Sequence, residues 1–99
     1  MTAAVSHVTI RGRVQGVGYR AWLAGEAMRR GLAGWVRNRR DGSVEAVLAG
    51  PAATVAEMIE ACRRGPASAR VEAVDATPVG DDMLGPRHPG ERFSVLSTV

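Results

Sequence analysis

The predicted first strand and the predicted first helix are joined by a glycine-rich bend, Gly12-Arg13-Val14-Gln15-Gly16-Val17-Gly18-Tyr19-Arg20. In residues 7–14, which lead into the bend, Val8, Ile10 and Val14 fall on one face of an alternating pattern, as in a half-buried strand. Residues 21–30 are rich in good helix formers, and Gly31 is a typical C-terminal stop. The bend therefore leads a strand directly into the N-terminus of a helix.

A hairpin and a second helix are predicted next. Residues 34–40 and 43–49 flank Asp41-Gly42, which is a strong hairpin signal. Two start signals compete for the helix that follows, namely Pro51 at its first position and a capping box of Thr54 and Glu57. Its core-facing stripe is predicted to be the set with helical spacing, Val55, Met58, Ile59 and Cys62.

Two more strands are predicted at residues 69–77 and 92–98, separated by a Gly/Pro/Asp-rich loop over residues 80–90. The element order is β-α-β-β-α-β, with the last strand as the final β. This order predicts a ferredoxin-like α/β sandwich of the α+β class, an antiparallel sheet with two helices on one face. Because that architecture serves many functions, the fold alone does not indicate one.

Length and composition fit one small domain. The chain has 99 residues, 45% of them hydrophobic, so residues 1–99 are predicted to form a single domain. No apolar run approaches the roughly 20 residues that span a bilayer, and residues 1–5 lack the features of a signal peptide. Cys62 is the single cysteine, which rules out an internal disulfide. A cytoplasmic protein without membrane contact is predicted.

The charged residues exclude some types of catalytic site and favour anionic ligands. The formal net charge is +3, and every basic residue is arginine. Without lysine, Schiff-base catalysis and a Walker-type phosphate loop are excluded. A basic balance suits anionic ligands, either small phosphates or nucleic acid.

The bend has the properties of a phosphate site. Successive backbone N–H groups before a helix can converge on one anion, and the helix dipole adds to the attraction. Gly16 and Gly18 remove side chains that would block close approach. Arg20 supplies a planar charged fork that matches two phosphate oxygens. The alternative is a plain strand-to-helix turn with Arg20 in a surface ion pair.

Asn38 is unusual within the hairpin segment that runs from Gly34 to Glu45, because strand interiors disfavour asparagine. Its amide both donates and accepts, so it could orient a water molecule beside a phosphoryl group. The alternative is an asparagine near a turn that hydrogen-bonds to local backbone.

These two segments together resemble the signatures of the acylphosphatase family. The first is the bend itself, and the second runs from Gly34 to Val44. The resemblance continues through Gly65-Pro66, Ala69, Val71 and Phe93-Ser94-Val95, so it covers nearly the whole chain. It implies a small stand-alone acylphosphatase that hydrolyses the carboxyl-phosphate bond of acyl phosphates to a carboxylate and inorganic phosphate, without a metal or other cofactor.

The resemblance also implies roles for individual residues. Arg20 would bind phosphate together with the amides of the bend, and Asn38 would position the attacking water. The residues assigned to substrate binding are those of the bend: Gln15, Gly16, Val17, Gly18, Tyr19 and Arg20. One departure is Arg39, where family members often carry a small hydroxyl residue, and Arg39 is expected to add positive potential instead.

Two functions other than acyl phosphate hydrolysis remain as alternatives. One is a nucleic-acid-binding module, which the scarcity of aromatic residues and the lack of an RNP-like motif argue against. The other is a domain that binds carboxyl or carbamoyl phosphate without turnover. The expected partners are therefore small-molecule acyl phosphates, with no nucleic acid and no membrane, and a monomer is expected. His7, His88 and Cys62 are interpreted as structural or surface residues.

Overall fold

The protein is described by a computed structural model that covers residues 3–99. Its elements, in chain order, are β1 (Ala3–Arg13), α1 (Tyr19–Arg29), β2 (Ala33–Asn38), β3 (Val44–Pro51), α2 (Ala52–Arg64), β4 (Arg70–Pro78), a 3₁₀ turn (Asp81–Leu84) and β5 (Phe93–Val95). Met1 and Thr2, part of the segment from which the lack of a signal peptide was predicted, lie outside the described residues. None of the described helices is long and apolar enough to cross a membrane.

The five strands form one sheet in the order β4-β1-β3-β2-β5. Neighbouring strands are antiparallel except β2 and β5, which are parallel. The strand that completes the β-α-β-β-α-β order is therefore β4, which pairs with β1, whereas the last strand, β5, is an addition at the opposite edge. The predicted ferredoxin-like α+β fold is confirmed, with a mixed rather than wholly antiparallel sheet.

Both helices pack against the same face of the sheet. The apolar positions predicted for β1 are buried there with residues from β3, α1 and α2, in a core that includes Val8, Ile10, Val14, Leu23, Ala27, Val44, Ala46, Leu48, Val55, Met58 and Cys62. The other face carries a smaller cluster of Trp35, Val47 and Leu96, against which Met83 and Leu84 pack. Because side chains alternate along a strand, residues adjacent in sequence on β2 and β3 face these two different environments.

Element boundaries differ slightly from the prediction. Helix α1 begins at Tyr19, two residues early, because Gly18 in the left-handed conformation acts as its N-cap. Helix α2 begins at Ala52 with Pro51 as the N-cap and no side-chain cap from the described residues, so the proposed capping box is not used. Strand β5 spans only Phe93–Val95, although Val99 still donates a backbone hydrogen bond to the Asn38 carbonyl oxygen at 3.2 Å.

Candidate active site

The glycine-rich bend opens a space at the N-terminus of α1. Gly16 and Gly18 have φ angles of 73° and 78°, values that L side chains rarely adopt. A Cβ atom built on either glycine would meet no described atom within 4 Å, so both glycines border open space. Their conformation turns the backbone of β1 into the first turn of α1 and leaves room for a ligand there.

The first turn of α1 has unpaired backbone donors. Its first helical hydrogen bond runs from the N–H of Trp22 to the Gly18 carbonyl oxygen, at 3.0 Å, so the N–H groups of Tyr19, Arg20 and Ala21 have no partner one turn earlier. No side chain among residues 3–99 caps this end, and the first turn contains no acidic residue. Unpaired N–H groups and the positive end of the helix dipole make the position attractive to an anion.

The bend and the hairpin enclose a cavity of about 300 Å³. Its walls come from the bend, α1, β2 and β5: Val14, Gln15, Gly16, Gly18, Tyr19, Arg20, Ala21, Asn38 and Val95. None of these lining residues is a carboxylate. Within the described part of the chain, Arg20 takes no part in an ion pair, so the surface ion pair of the alternative interpretation is not found.

Asn38 ends β2 and lies on the same sheet face as Val36, toward the helices and the cavity. Its Oδ1 atom is buried and has no hydrogen-bond partner among the described residues. Leaving a buried polar atom unpaired costs about 1–3 kcal/mol. The Oδ1 atom of Asn38 thus does not accept a hydrogen bond from the local backbone of the described residues, as the alternative interpretation required. The atom is available to a ligand or a water molecule.

Gln15 connects the two halves of the cavity. Its Nε2 atom donates hydrogen bonds to the carbonyl oxygens of Arg39 at 2.7 Å and Ser43 at 2.8 Å, both in the β2–β3 hairpin. Asn38 is the residue directly before Arg39. The side chain of Gln15 therefore fixes the distance between the bend and the end of β2.

Tyr19 and Val17 contribute less directly than the other residues of the bend. The Tyr19 side chain is buried, and its hydroxyl donates to the Cys62 carbonyl oxygen at 2.7 Å. Burial, with a smaller contribution from Cys62, raises the pKa of Tyr19 far above its usual value. Val17 does not line the cavity, and its carbonyl oxygen accepts a hydrogen bond from Ser68 at 2.9 Å. Tyr19 acts as an anchor of the bend, and only the backbone of Val17 remains a candidate contact.

Three residues that line the cavity were not among the predicted site residues, and Arg39 does not line it. These residues are Val14, Ala21 and Val95. Val95, which the sequence shows only as part of the family resemblance, reaches the cavity through the parallel pairing of β5 with β2. Arg39 was expected to add positive potential, yet it does not line the cavity. Its guanidinium lies 3.1 Å from the Glu45 carboxylate, which also binds Arg37.

Other candidate groups are distant or occupied. Across residues 3–99, no three or more His, Cys, Asp or Glu side chains come together as metal ligands would. His7 pairs with Glu45, and His88 pairs with Glu91 at 2.9 Å. Cys62 is fully buried in the core, as predicted, and burial raises the pKa of its thiol to about 11.

Proteins with similar sequences are named acylphosphatases. The sequence profile of the family described as acylphosphatase matches residues 6–85. An acylphosphatase from Rhodopseudomonas palustris is 64% identical over 99 residues and covers 100% of both chains. The chain belongs to the acylphosphatase family. The acylphosphatase from Azorhizobium caulinodans is 65% identical over 94 residues, which is 94% of this chain and 95% of the relative.

The fold comparison agrees with the family assignment. The crystal structure of acylphosphatase from Bacillus subtilis matches with a TM-score of 0.80 and 34% identity, and the match covers 96% of this chain and 99% of that one. Membership of the acylphosphatase family makes the chain a hydrolase that acts on acyl phosphates.

Proposed function

We propose that Arg20 and the backbone amides of residues 15–20 bind the phosphoryl group of an acyl phosphate, while Asn38 orients the water that attacks it. One observation carries this assignment. The cavity brings together an unpaired guanidinium, the N-terminus of α1 and the unpaired Oδ1 atom of Asn38, and no carboxylate lies in its lining to repel an anion. None of these groups has a hydrogen-bond partner among the described residues. A bound phosphoryl group and its attacking water would supply a partner for each of them.

The reaction needs little from the protein beyond these groups. The water oxygen forms a bond to phosphorus, and the bond between phosphorus and the acyl oxygen breaks, with its electron pair leaving on the carboxylate. A carboxylic acid has a pKa of about 4, so this leaving group departs without a proton from the enzyme. The proton of the attacking water passes to a phosphoryl oxygen. The lack of an acidic or histidine side chain in the cavity lining is compatible with this path.

Charge stabilisation is then the main contribution. Phosphoryl transfer depends on positioning and on donors aimed at the phosphoryl oxygens. A guanidinium and the amides at a helix N-terminus provide such donors, so metal-independent hydrolysis is part of the proposal. A single acylphosphatase-like domain over residues 1–99 is part of it too. The cytoplasmic location, the monomeric state and the lack of nucleic-acid and membrane partners stay predictions.

The test is release of inorganic phosphate from benzoyl phosphate in the presence of EDTA. The wild type is compared with Arg20→Ala, Asn38→Ala and, as a control, Arg29→Ala, which removes an exposed arginine from the opposite end of α1. Turnover by the wild type and Arg29→Ala, with the other two variants near background, is expected. Full activity in folded Arg20→Ala or Asn38→Ala would refute that residue's assignment. Activity abolished by EDTA and restored by a divalent cation would refute metal independence.

A further inference from the structure

Glu45 is a nearly buried carboxylate on the sheet face opposite the helices. Its side chain is 7% exposed, and three donors surround it. His7 Nε2 lies 2.6 Å from Oε2, while Arg37 Nε and Arg39 Nη1 lie 2.7 Å and 3.1 Å from Oε1. A buried carboxylate carries a desolvation penalty of several kcal/mol, which only well-placed partners offset. The family assignment and the proposed reaction do not account for this arrangement.

The two arginines that hold Oε1 are the chain neighbours of Asn38. Arg37 and Arg39 extend to one face of the sheet, whereas Asn38 between them faces the cavity on the other. Both neighbours of Asn38 thus donate hydrogen bonds to the same Glu45 oxygen atom, on the sheet face opposite the cavity. Rotation of the backbone at Asn38 would have to move at least one of these guanidinium groups away from Glu45.

The strand is held from further directions at the same point. Arg37 also lies over the Trp35 ring, with 4.6 Å from Cζ to the ring centroid. The backbone N–H of Arg39 donates to the Ser43 carbonyl oxygen at 2.9 Å. Side-chain and backbone contacts therefore both restrain the end of β2.

We propose that Glu45 is a positioning residue: by holding Arg37 and Arg39, it fixes the orientation in which Asn38 presents its amide to the attacking water. The inference rests on the role proposed above for Asn38. Glu45 itself does not touch the substrate, because it lies on the other side of the sheet from the cavity. Arg39 thereby gains a function that requires its length and charge, in a position outside the cavity.

The test compares the steady-state kinetics of Glu45→Gln with those of Glu60→Gln, which removes an exposed carboxylate from α2. Glu45→Gln is expected to lower kcat by about tenfold, less than the roughly 100-fold that misplacement of a reacting group by a full ångström can cost. The inhibition constant of inorganic phosphate should stay within about twofold, because the phosphate donors are untouched. Glu60→Gln should change neither. Urea unfolding of each variant gives the folded fraction used to correct kcat.

A second variant covers the case in which Glu45→Gln does not fold. Arg39→Gln removes one of the two ties through a side chain that is 43% exposed, so folding should persist. It is expected to lower kcat by about threefold with unchanged phosphate inhibition. A purely structural role for Glu45 would lower the urea midpoint and leave the corrected kcat unchanged, and that result overturns the inference.

Failure of the inference and failure of the proposed function give different results. Active wild type and inactive Asn38→Ala, with normal kcat in the Glu45 and Arg39 variants, would refute only the positioning role. Full activity in Asn38→Ala, or an inactive wild type, would overturn both.

Discussion

The side-chain amide of Gln15 donates a hydrogen bond to the backbone carbonyl oxygen of Arg39, with 2.7 Å between Nε2 and the oxygen. Gln15 belongs to the bend and Arg39 to the hairpin, so this contact joins two segments that are far apart in sequence. The phosphate-binding and water-orienting groups proposed for the site lie on either side of it. Loss of the contact should therefore affect stability and ligand binding together.

Gln15→Ala removes two hydrogen bonds and is expected to lower the free energy of unfolding by about 1–3 kcal/mol, since each typical bond contributes about 0.5–1.5 kcal/mol. The loss stays small because the Arg39 and Ser43 carbonyl oxygens each keep a backbone donor, at 3.1 Å and 2.9 Å. Phosphate inhibition should weaken as well. Urea unfolding and inhibition by inorganic phosphate measure the two effects. Ser68→Ala, which removes an exposed contact to the bend, is the control and should have a smaller effect on both.

Arg20→Ala should raise the inhibition constant of phosphate by about 10- to 150-fold, because hydrogen bonds to charged groups contribute about 1.5–3 kcal/mol. Arg20→Lys keeps the charge but loses the planar fork, so it should also be impaired. Phosphate inhibition of the residual activity, or calorimetric titration, measures the change. Wild-type affinity in Arg20→Lys would show that charge alone is sufficient.

Asn38→Ala should lower kcat by about 100- to 1,000-fold, the usual effect of removing one preorganised polar group from a reacting centre. Asn38→Asp should lower kcat and also weaken phosphate binding, because a carboxylate then faces the anion. The comparison of kcat with phosphate inhibition in the two variants separates water orientation from charge. Equal phosphate affinity in both variants would place Asn38 away from the bound phosphoryl group.

Acid should destabilise the protein partly through Glu45. Burial alone would raise the pKa of this carboxyl, but the hydrogen bonds from His7, Arg37 and Arg39 outweigh it and hold the pKa below the ordinary 4.5. A carboxyl whose pKa is lower in the folded state stabilises the fold above its unfolded pKa, and that stability is lost as the pH falls through the folded pKa. The urea midpoint of the wild type should therefore decrease as the pH falls below about 4.5.

The pH dependence of Glu45→Gln is the matching measurement. Without the carboxyl, the decrease in urea midpoint below pH ~4.5 should be shallower than in the wild type. Asp41, Glu26 and Glu91 also have lowered pKa values, so some acid sensitivity should remain. Glu60→Gln serves as the control for removal of a surface charge. Identical pH profiles in wild type and Glu45→Gln would contradict the contribution assigned to Glu45.

The sequence predicted well which residues of β1 lie on the sheet face that packs against the helices. On that face, the alternation of apolar residues in the sequence agrees with their burial in the fold. Val8, Ile10 and Val14 alternate on β1, and all three are buried as expected. Gly16 and Gly18 marked the bend because only glycine adopts its backbone angles without strain. Local patterns of this kind depend on near neighbours in the chain, which the sequence displays directly.

Features that depend on contacts between residues far apart in the sequence could not be predicted in the same way. Val95 lines the cavity only because β5 joins β2 in parallel, a choice made by tertiary packing and not by the three residues of β5. The role of Glu45 was not predicted for the same reason, since its partners come from β1, from β2 and from the turn after β2. The direction of Arg39 likewise follows from a buried carboxylate elsewhere in the sheet.

The interior position of β1 in the sheet also has a consequence for folding kinetics. This strand pairs on one side with β3 and on the other with β4, so Ser6 faces both Leu48 and Pro78. Contacts between such distant residues require large loops to close before they contribute, so folding should be slower than that of a helical bundle of similar size. The bend is the direct continuation of β1 and is shaped by these pairings. Enzymatic activity should therefore recover during refolding only after the whole sheet has formed. The rate at which phosphate release reappears would then report the rate of the last long-range step of folding.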